Sequence, residues 1–198
     1  MNRQVFKVHP IMIPIFIFFY LSGEFALYAI VFGSLLFHEA GHLLAAKLVG
    51  ARVQSCTILP YGGEIKMEQF TKLDTNKQLF ILLSGPFFTF ILLIIGMLLD
   101  FPQHEMLVVM QQLILVVNLL PIFPLDGGRV IYALVPAKYA TLIILSLLSS
   151  LVIFFISLNY FPKALSITII FFFLACQNYA YWRFRKYKYA FERIMKTA

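Results

Sequence analysis

Residues 25–49 form the stretch of sequence that decides the fold: FALYAIVFGSLLFHEAGHLLAAKLV. A helix needs about 20 mostly apolar residues to cross the hydrocarbon core of a membrane. This stretch is long enough, yet it contains His38, Glu39 and His42 close together. Ionisable side chains inside a bilayer are costly and are functional candidates by default. The stretch therefore predicts a membrane helix that carries a functional site.

The composition of the whole chain also indicates a membrane protein. Of its 198 residues, 61% are hydrophobic and only 13% are charged, whereas soluble domains average about 45–50% apolar and about 25% charged residues. This balance excludes an ordinary soluble domain, a disordered chain and a nucleic-acid-binding module. The two cysteines, Cys56 and Cys176, are too few for a disulfide scaffold and lack the spacing of a zinc motif.

Five further apolar stretches bring the predicted number of membrane helices to about six in an all-α membrane protein. They cover approximately residues 9–22, 78–99, 106–125, 139–159 and 164–182. Six spans place both termini on one side of the membrane. The positive-inside rule supports this arrangement, because 15 of the 16 Lys and Arg residues fall on one set of segments, residues 1–8, 47–77, 126–138 and 183–198. We therefore predict a multi-pass cell-membrane protein with both termini in the cytoplasm.

The domain organisation follows from this topology. We expect one polytopic membrane domain over residues 1–182 and a basic cytoplasmic tail over residues 183–198. The net charge of +7 then reflects topology together with a tail that can contact anionic lipid. Aromatic residues interleave with the basic ones in this tail, which is typical of a membrane interface. The expected partner of the tail is therefore the lipid bilayer and not nucleic acid.

The motif in the second apolar stretch predicts a metal site. His38-Glu39-Ala40-Gly41-His42 has the pattern H-E-x-x-H, in which two histidines on one helix face bind zinc and the glutamate acts as general base. The alternative is that His38, Glu39 and His42 only satisfy one another inside a helical bundle. Three ionisable groups within five residues at metal-ligand spacing favour the metal site. Gly41, with Gly33, is expected to allow close helix contacts around it.

A catalytic zinc site usually has three protein ligands, so a third ligand is expected. Asp126 is the best candidate, because it closes the fourth apolar stretch at the membrane face where His38 and His42 are predicted to lie. The weaker candidates lie in a polar loop, at the opposite face or at the N-terminal interface; they are Glu64, Glu68, Asp100, His104 and His9.

Two segments near the predicted site should not be simple membrane helix. Pro121 and Pro124 lack an N–H and disfavour helix in the preceding residue, so the fourth helix is predicted to break near Asn118 and to present Asp126 on an extended stretch. A simple loop leaving the membrane is the alternative. After the second helix, residues 52–67 predict a short β-hairpin with a glycine-rich turn. Its edge is a candidate surface for an extended substrate, although an ordinary interfacial loop is the alternative.

Together these motifs resemble the site-2 protease family of intramembrane zinc metalloproteases. That family pairs an H-E-x-x-H helix with a distant N-x-x-P-x-x-P-x-D-G segment, and both patterns occur here without departure, in residues 38–42 and 118–127. Ser84-Gly85-Pro86 is similar to the family's small-residue motif. Residues 59–63 and 124–128 resemble the sporulation branch of the family most closely. The resemblance covers most of residues 9–182.

The resemblance implies a set of roles for these residues. It implies one zinc ion per chain held by His38, His42 and Asp126, with Glu39 as the catalytic base. Asn118 is implied to contact the substrate or the oxyanion, and its alternative role is to cap or bridge the broken helix. Members of the sporulation branch carry a cytoplasmic nucleotide-sensing domain after the last span. This chain stops about sixteen residues after its sixth apolar stretch, so control through that domain is not expected here.

We therefore expect a hydrolase of the metalloendopeptidase class that performs intramembrane proteolysis near the cytoplasmic face. Its expected substrates are membrane-embedded or membrane-associated regulatory proteins. For the sporulation branch the resemblance implies the pro-sequence of a sigma factor as substrate, and inhibitory membrane proteins as partners. Two alternatives are a membrane ion or metal transport protein that uses His38, His42 and Asp126 as a relay, and an inactive adaptor. The intact Glu39 argues against both, because neither function needs it.

Overall fold

The computed structural model describes residues 6–8, 10, 12–21, 23, 25–59, 62–68, 70–160 and 164–197. Its described part is mostly helical. The elements in chain order are β1 (Phe6–Val8), α1 (Met12–Leu21), α2 (Phe25–Leu48), β2 (Val53–Leu59), β3 (Gly62–Met67), α3 (Thr75–Leu98), α4 (His104–Leu119), α5 (Asp126–Leu134), α6 (Tyr139–Leu158) and α7 (Leu165–Thr197). The chain forms two compact units, Met1–Leu119 and Leu120–Ala198.

The first unit is built around the long apolar helix α2, which packs against α3. A Schellman motif ends α2: Gly50 has a positive φ of 75°, and the N–H of Ala51 donates to the carbonyl of Ala46 over 2.9 Å. Glycine suits this position because it has no Cβ to clash in the left-handed conformation. The chain therefore turns sharply after α2 and enters β2 within a few residues.

A small sheet follows α2, with the strand order β1-β2-β3. Strands β2 and β3 pair antiparallel, with Cys56 opposite Ile65, so the predicted hairpin is confirmed. Strand β1 pairs parallel to β2, with Phe6 opposite Cys56. The sequence analysis did not predict β1, because three residues before the first apolar stretch are too few to show a strand pattern. The sheet contacts α2 through both β2 and β3.

The second unit contains α5, α6 and α7, of which α6 and α7 pack against each other. Its core is formed by Ile122, Phe171 and Leu174. Helix α7 is 33 residues long and continues past the end of the sixth predicted span into the predicted tail.

The predicted break of the fourth helix is confirmed, but the prediction that Asp126 lies on an extended stretch was wrong, because Asp126 is the first residue of helix α5. Helix α4 ends at Leu119, and the next helix begins only at Asp126. The six residues between them include Pro121 and Pro124, which cannot donate the backbone hydrogen bonds that a continuing helix requires.

Three helices of the described chain are long and apolar enough to cross a membrane: Ala26–Leu48, Thr75–Leu98 and Pro136–Leu158. Helix α4 is apolar but shorter. Helix α1 has only 10 residues, and His9 and Ser22, the ends of the first predicted span, lie outside the described residues. The structure therefore supports a membrane location with three candidate spans, and the total of six stays a prediction.

Candidate active site

The three residues of the H-E-x-x-H motif lie together on the buried face of α2. His38, Glu39 and His42 are 2%, 8% and 5% exposed. Helical spacing puts the two imidazoles on the same face, and their Nε2 atoms are 3.2 Å apart. The predicted convergence of His38 and His42 is therefore present in the first unit.

Helix α3 fixes the orientation of both imidazole rings. Nδ1 of His42 lies 2.7 Å from the backbone carbonyl of Ile81. Because a carbonyl can only accept, this nitrogen carries the proton. Nδ1 of His38 lies 2.8 Å from the hydroxyl of Thr89, and that hydroxyl donates to the carbonyl of Gly85 over 3.3 Å. The Thr89 oxygen therefore accepts from His38, and Nδ1 of His38 carries the proton as well.

These partners leave the Nε2 lone pairs of His38 and His42 facing each other, an arrangement that fits a metal cation. Two nitrogen lone pairs 3.2 Å apart repel each other unless a positive charge is shared between them. A tetrahedral zinc site with Zn–N bonds of about 2.0–2.1 Å separates two nitrogen ligands by about 3.3 Å, which agrees with the observed distance. Hydrogen bonds at Nδ1 are also the usual way in which proteins orient metal-binding imidazoles.

Two glycines bring α2 and α3 into contact at the site. A Cβ on Gly85 would lie 2.2 Å from Nε2 of His42 and 2.7 Å from Nε2 of His38. A Cβ on Gly41 would lie 2.6 Å from the backbone carbonyl of Ser84. The prediction of close packing at Gly41 is confirmed, whereas the described residues do not bear out the same prediction for Gly33, since a Cβ there would meet none of their atoms within 4 Å. Position 33 lies more than two turns from His42 on α2, away from this contact.

The sheet borders the site near Glu39. Cys56 on β2 is fully buried. Burial raises the pKa of its thiol to about 11, and the charge of the nearby Glu39 carboxylate contributes to the rise. A thiol with this pKa stays protonated at neutral pH, as expected for a reduced structural cysteine.

Asp126 begins α5 in the second unit and is 5% exposed. A carboxylate in the first turn of a helix is favoured by the helix dipole. The preceding turn is tight, with the N–H of Leu125 donating to the carbonyl of Ile122 over 2.9 Å. A Cβ on Gly128 would lie 2.4 Å from the backbone N of Phe123. The loop and the first turn of α5 are therefore in backbone contact, which restricts where Asp126 can lie.

Asn118 lies in the last turn of α4 and is partly buried. Its side-chain Nδ2 donates to the carbonyl of Ile114 over 3.0 Å. One of its two amide hydrogens is therefore used within α4. The other hydrogen is not used by this bond.

The weaker candidates for the third ligand have less suitable environments where they are described. Glu68 is exposed. His104 and Asp100 pair with each other over 3.4 Å, and the Asp100 side chain is almost fully exposed. His9 and the side chain of Glu64 lie outside the described residues.

The sequence analysis missed four side chains or backbone groups that support the site. Thr89 and the Ile81 carbonyl orient the histidines, and Ser146 and Asn178 bond the backbone of Phe123. The polarity of Thr89, Ser146 and Asn178 inside apolar helices was the available signal. The sequence gives no signal for the Ile81 carbonyl, because every residue type has a backbone carbonyl.

The comparisons with known proteins agree with this geometry. Residues 26–104 match the family model described as Peptidase family M50. A zinc metalloprotease of Methanocaldococcus jannaschii is 33% identical in an alignment of 125 residues that covers 59% of this chain and 36% of the relative. Stage IV sporulation protein FB of Bacillus subtilis is 29% identical in an alignment of 133 residues that covers 64% of this chain and 46% of the relative.

A solved structure shares the fold. The site-2 protease from Methanocaldococcus jannaschii aligns with a TM-score of 0.69 and 21% identity, over 92% of this chain and 93% of that chain. The curated relatives are longer, and this chain spans about a third to a half of their length. The family match includes α2 with its H-E-x-x-H motif and α3 with the groups that orient the histidines. The predicted resemblance is therefore supported: residues 26–104 match Peptidase family M50, and the chain shares the fold of a solved site-2 protease.

Proposed function

We propose that this protein is an intramembrane zinc metalloprotease that hydrolyses peptide bonds of membrane-embedded or membrane-associated regulatory proteins. The observation that carries the proposal is the approach of the Nε2 atoms of His38 and His42, which are 3.2 Å apart in imidazoles that α3 orients through Nδ1. Glu39 lies between them in the sequence and is buried beside them on α2. This arrangement matches the metal-binding and proton-accepting parts of a zinc protease.

The proposed zinc ligands are His38, His42 and Asp126. Each is buried and offers one ligand atom, an imidazole nitrogen or a carboxylate oxygen. Two neutral imidazoles and one carboxylate are a donor set that zinc uses in catalytic sites, with a further position left open. The relative from Methanocaldococcus jannaschii supports zinc, since it is named a zinc metalloprotease.

In the proposed mechanism Glu39 is the proton carrier. When bound, zinc supplies Lewis-acid chemistry: it polarises the scissile carbonyl and makes water nucleophilic at neutral pH. Glu39 accepts the proton that the attacking water loses and then delivers it to the leaving amine, so the peptide bond is exchanged for a carboxylic acid and an amine. The amide hydrogen of Asn118 that is not bonded to Ile114 is proposed to stabilise the developing oxyanion.

The proposed membrane arrangement follows the charge distribution. We infer a multi-pass protein with both termini in the cytoplasm, a membrane domain over residues 1–182 and a basic tail over residues 183–198. The predicted cytoplasmic position of the motif gives water a short path to the site. Edge strand β3 offers backbone groups to an extended substrate segment. The resemblance to the sporulation branch implies a sigma-factor pro-sequence as one substrate and inhibitory membrane proteins as partners, and the similarity to stage IV sporulation protein FB agrees with that branch.

Zinc content and cleavage test the proposal in two steps. We expect the detergent-purified protein to hold about one zinc ion per chain, Asp126→Ala to hold much less, and Glu39→Gln to hold as much as the wild type. With dye-labelled casein as an extended protein probe, the wild type should cleave and Glu39→Gln should be slower by about 10²–10⁴-fold. Cleavage by Glu39→Gln at the wild-type rate would show that Glu39 is not the base. Absence of zinc after incubation at neutral pH would favour a relay or an adaptor.

A further inference from the structure

We propose that Ser146 on α6 and Asn178 on α7 are positioning residues for Asp126, acting through the backbone of Phe123. The inference rests on the proposed function, in which Asp126 is a zinc ligand. It concerns contacts within the second unit only, and neither residue belongs to the motifs that suggested the site.

The two side chains bond both polar backbone groups of a single residue. The N–H of Phe123 donates to the hydroxyl of Ser146 over 2.8 Å. The side-chain amide of Asn178 donates to the carbonyl of Phe123 over 2.6 Å. Because Phe123 lies in the loop between α4 and α5, no helix provides hydrogen bonds for its backbone N–H and C=O. The side chains of Ser146 and Asn178 provide these hydrogen bonds instead.

The burial of these groups makes both hydrogen bonds necessary. Ser146 and Asn178 are fully buried, so water cannot replace either bond. The second amide hydrogen of Asn178 goes to the carbonyl of Leu174 over 2.9 Å, and both of its donors are thus in use. A buried peptide group without a partner is strongly disfavoured, and the loop is therefore restricted to positions in which both bonds form.

The ring of Phe123 is held in the same place as its backbone. Its centroid lies 5.2 Å from the ring of Tyr181 and 6.0 Å from that of Tyr139, both edge to face. Tyr139 begins α6 and Tyr181 lies on α7. The same two helices therefore fix Phe123 through its backbone and through its side chain.

The position of Phe123 determines that of Asp126 three residues later. The turn closed by the Leu125–Ile122 hydrogen bond and the close approach of Gly128 to Phe123 leave little freedom between them. A shift of Phe123 is thereby carried to the first turn of α5. Groups that hydrogen-bond a metal ligand directly typically change metal affinity about 10- to 100-fold when they are removed, and we expect an effect of up to this size from Ser146 and Asn178.

The chain provides a matched control for Ser146. Ser150 lies one turn further along α6, is equally buried, and donates to the backbone carbonyl of Ser146 over 2.7 Å. Its hydroxyl makes no hydrogen bond to the loop among the described contacts. Ser146→Ala and Ser150→Ala thus remove the same atom from the same helix, but only the first should disturb Asp126.

The experiment measures zinc dissociation constants by chelator competition, the absorption spectra of cobalt-loaded protein, and thermal midpoints. We expect Ser146→Ala and Asn178→Leu to weaken zinc binding about 10- to 100-fold and to change the cobalt spectrum, whereas Ser150→Ala keeps both. Ser146→Thr retains the hydroxyl and should restore wild-type binding, which separates positioning from loss of packing. Should Asn178→Leu fail to fold, the comparison among the serine variants decides.

The failure of this inference differs from the failure of the proposed function. Wild-type affinity and spectrum in Ser146→Ala and Asn178→Leu, with binding lost in Asp126→Ala, overturns the positioning role alone. Wild-type binding in Asp126→Ala overturns the ligand assignment on which the inference rests. An equal loss of binding in Ser146→Ala and Ser150→Ala overturns it too, because the effect is then one of packing.

Discussion

Replacing Gly85 by alanine should remove zinc binding while leaving helix α3 intact. The new Cβ would lie 2.2 Å from Nε2 of His42 and 2.7 Å from Nε2 of His38. Ordinary carbon–nitrogen contact requires about 3.4 Å, so the rings must retreat by roughly 1 Å. Zinc ligands hold their distances to within about 0.2 Å, and both rings are anchored at Nδ1. We therefore expect the zinc dissociation constant to rise by at least about 100-fold.

Gly96 on the same helix provides the control. The nearest atoms to a Cβ there would be apolar side-chain atoms and no metal ligand, at 3.1 Å for Val108 Cγ2 and 3.3 Å for Leu107 Cδ2. Both substitutions gain the same helix propensity, up to about 1 kcal/mol per residue, so the difference between them isolates the clash at the histidines. Zinc competition with a chelator, together with circular dichroism, makes the comparison. If Gly85→Ala bound zinc as tightly as Gly96→Ala, the arrangement of α3 against the two imidazoles would be wrong.

Two further predictions concern groups around the histidines. Thr89→Val removes the hydroxyl that accepts from His38 and keeps the side-chain shape, so zinc affinity should fall about 10- to 100-fold. Thr89→Ser keeps the hydroxyl and should bind zinc like the wild type. Unchanged zinc affinity in Thr89→Val would mean that another group orients His38. The pKa of Cys56 is about 11 in the folded protein, compared with 9.0 for an ordinary thiol. At pH 8 the folded protein therefore holds about 100-fold less Cys56 thiolate than the unfolded chain. Iodoacetamide should modify Cys56 far faster after denaturation than before. Because the folded state keeps this thiol protonated, its contribution to stability is present below pH 9 and is lost as the pH rises to about 11, so the Tm of the wild type should fall more over that range than the Tm of Cys56→Val.

The parts of the fold and site that could be predicted were those encoded locally. The H-E-x-x-H motif fixes the relative position of His38 and His42 through helix periodicity alone. Pro121 and Pro124 interrupt the helix by their own covalent structure. The hairpin after α2 likewise follows from alternation and glycine in one short segment. In each case the physical cause lies within a few residues of the feature.

The parts that could not be predicted depend on contacts between distant segments. Thr89 can orient His38 because α3 packs against α2 in a register that brings the two residues together. The sequence periodicity of α3 does not indicate which of its backbone carbonyls will face His42. Gly33 and Gly41 look equivalent in the sequence, yet only Gly41 meets α3. Strand β1 forms through pairing with β2, about fifty residues away. The number of spans is open for a similar reason, because helices as short as α1 and α4 depend on their surroundings in the membrane.

Helix α7 is continuous, so it can transmit a force along its axis within the second unit. The helix runs from Leu165 to Thr197, and its far end lies about 28 Å beyond Asn178 at 1.5 Å per residue. An α-helix is stiff along its axis, so a pull applied beyond Trp182 reaches Asn178 almost undiminished. The bond from Asn178 to Phe123 is 2.6 Å long, and a displacement of Asn178 by about 1 Å along the direction of this bond would stretch it beyond hydrogen-bonding distance. Mechanical load on the basic end of the chain thus acts directly on the loop that carries Asp126.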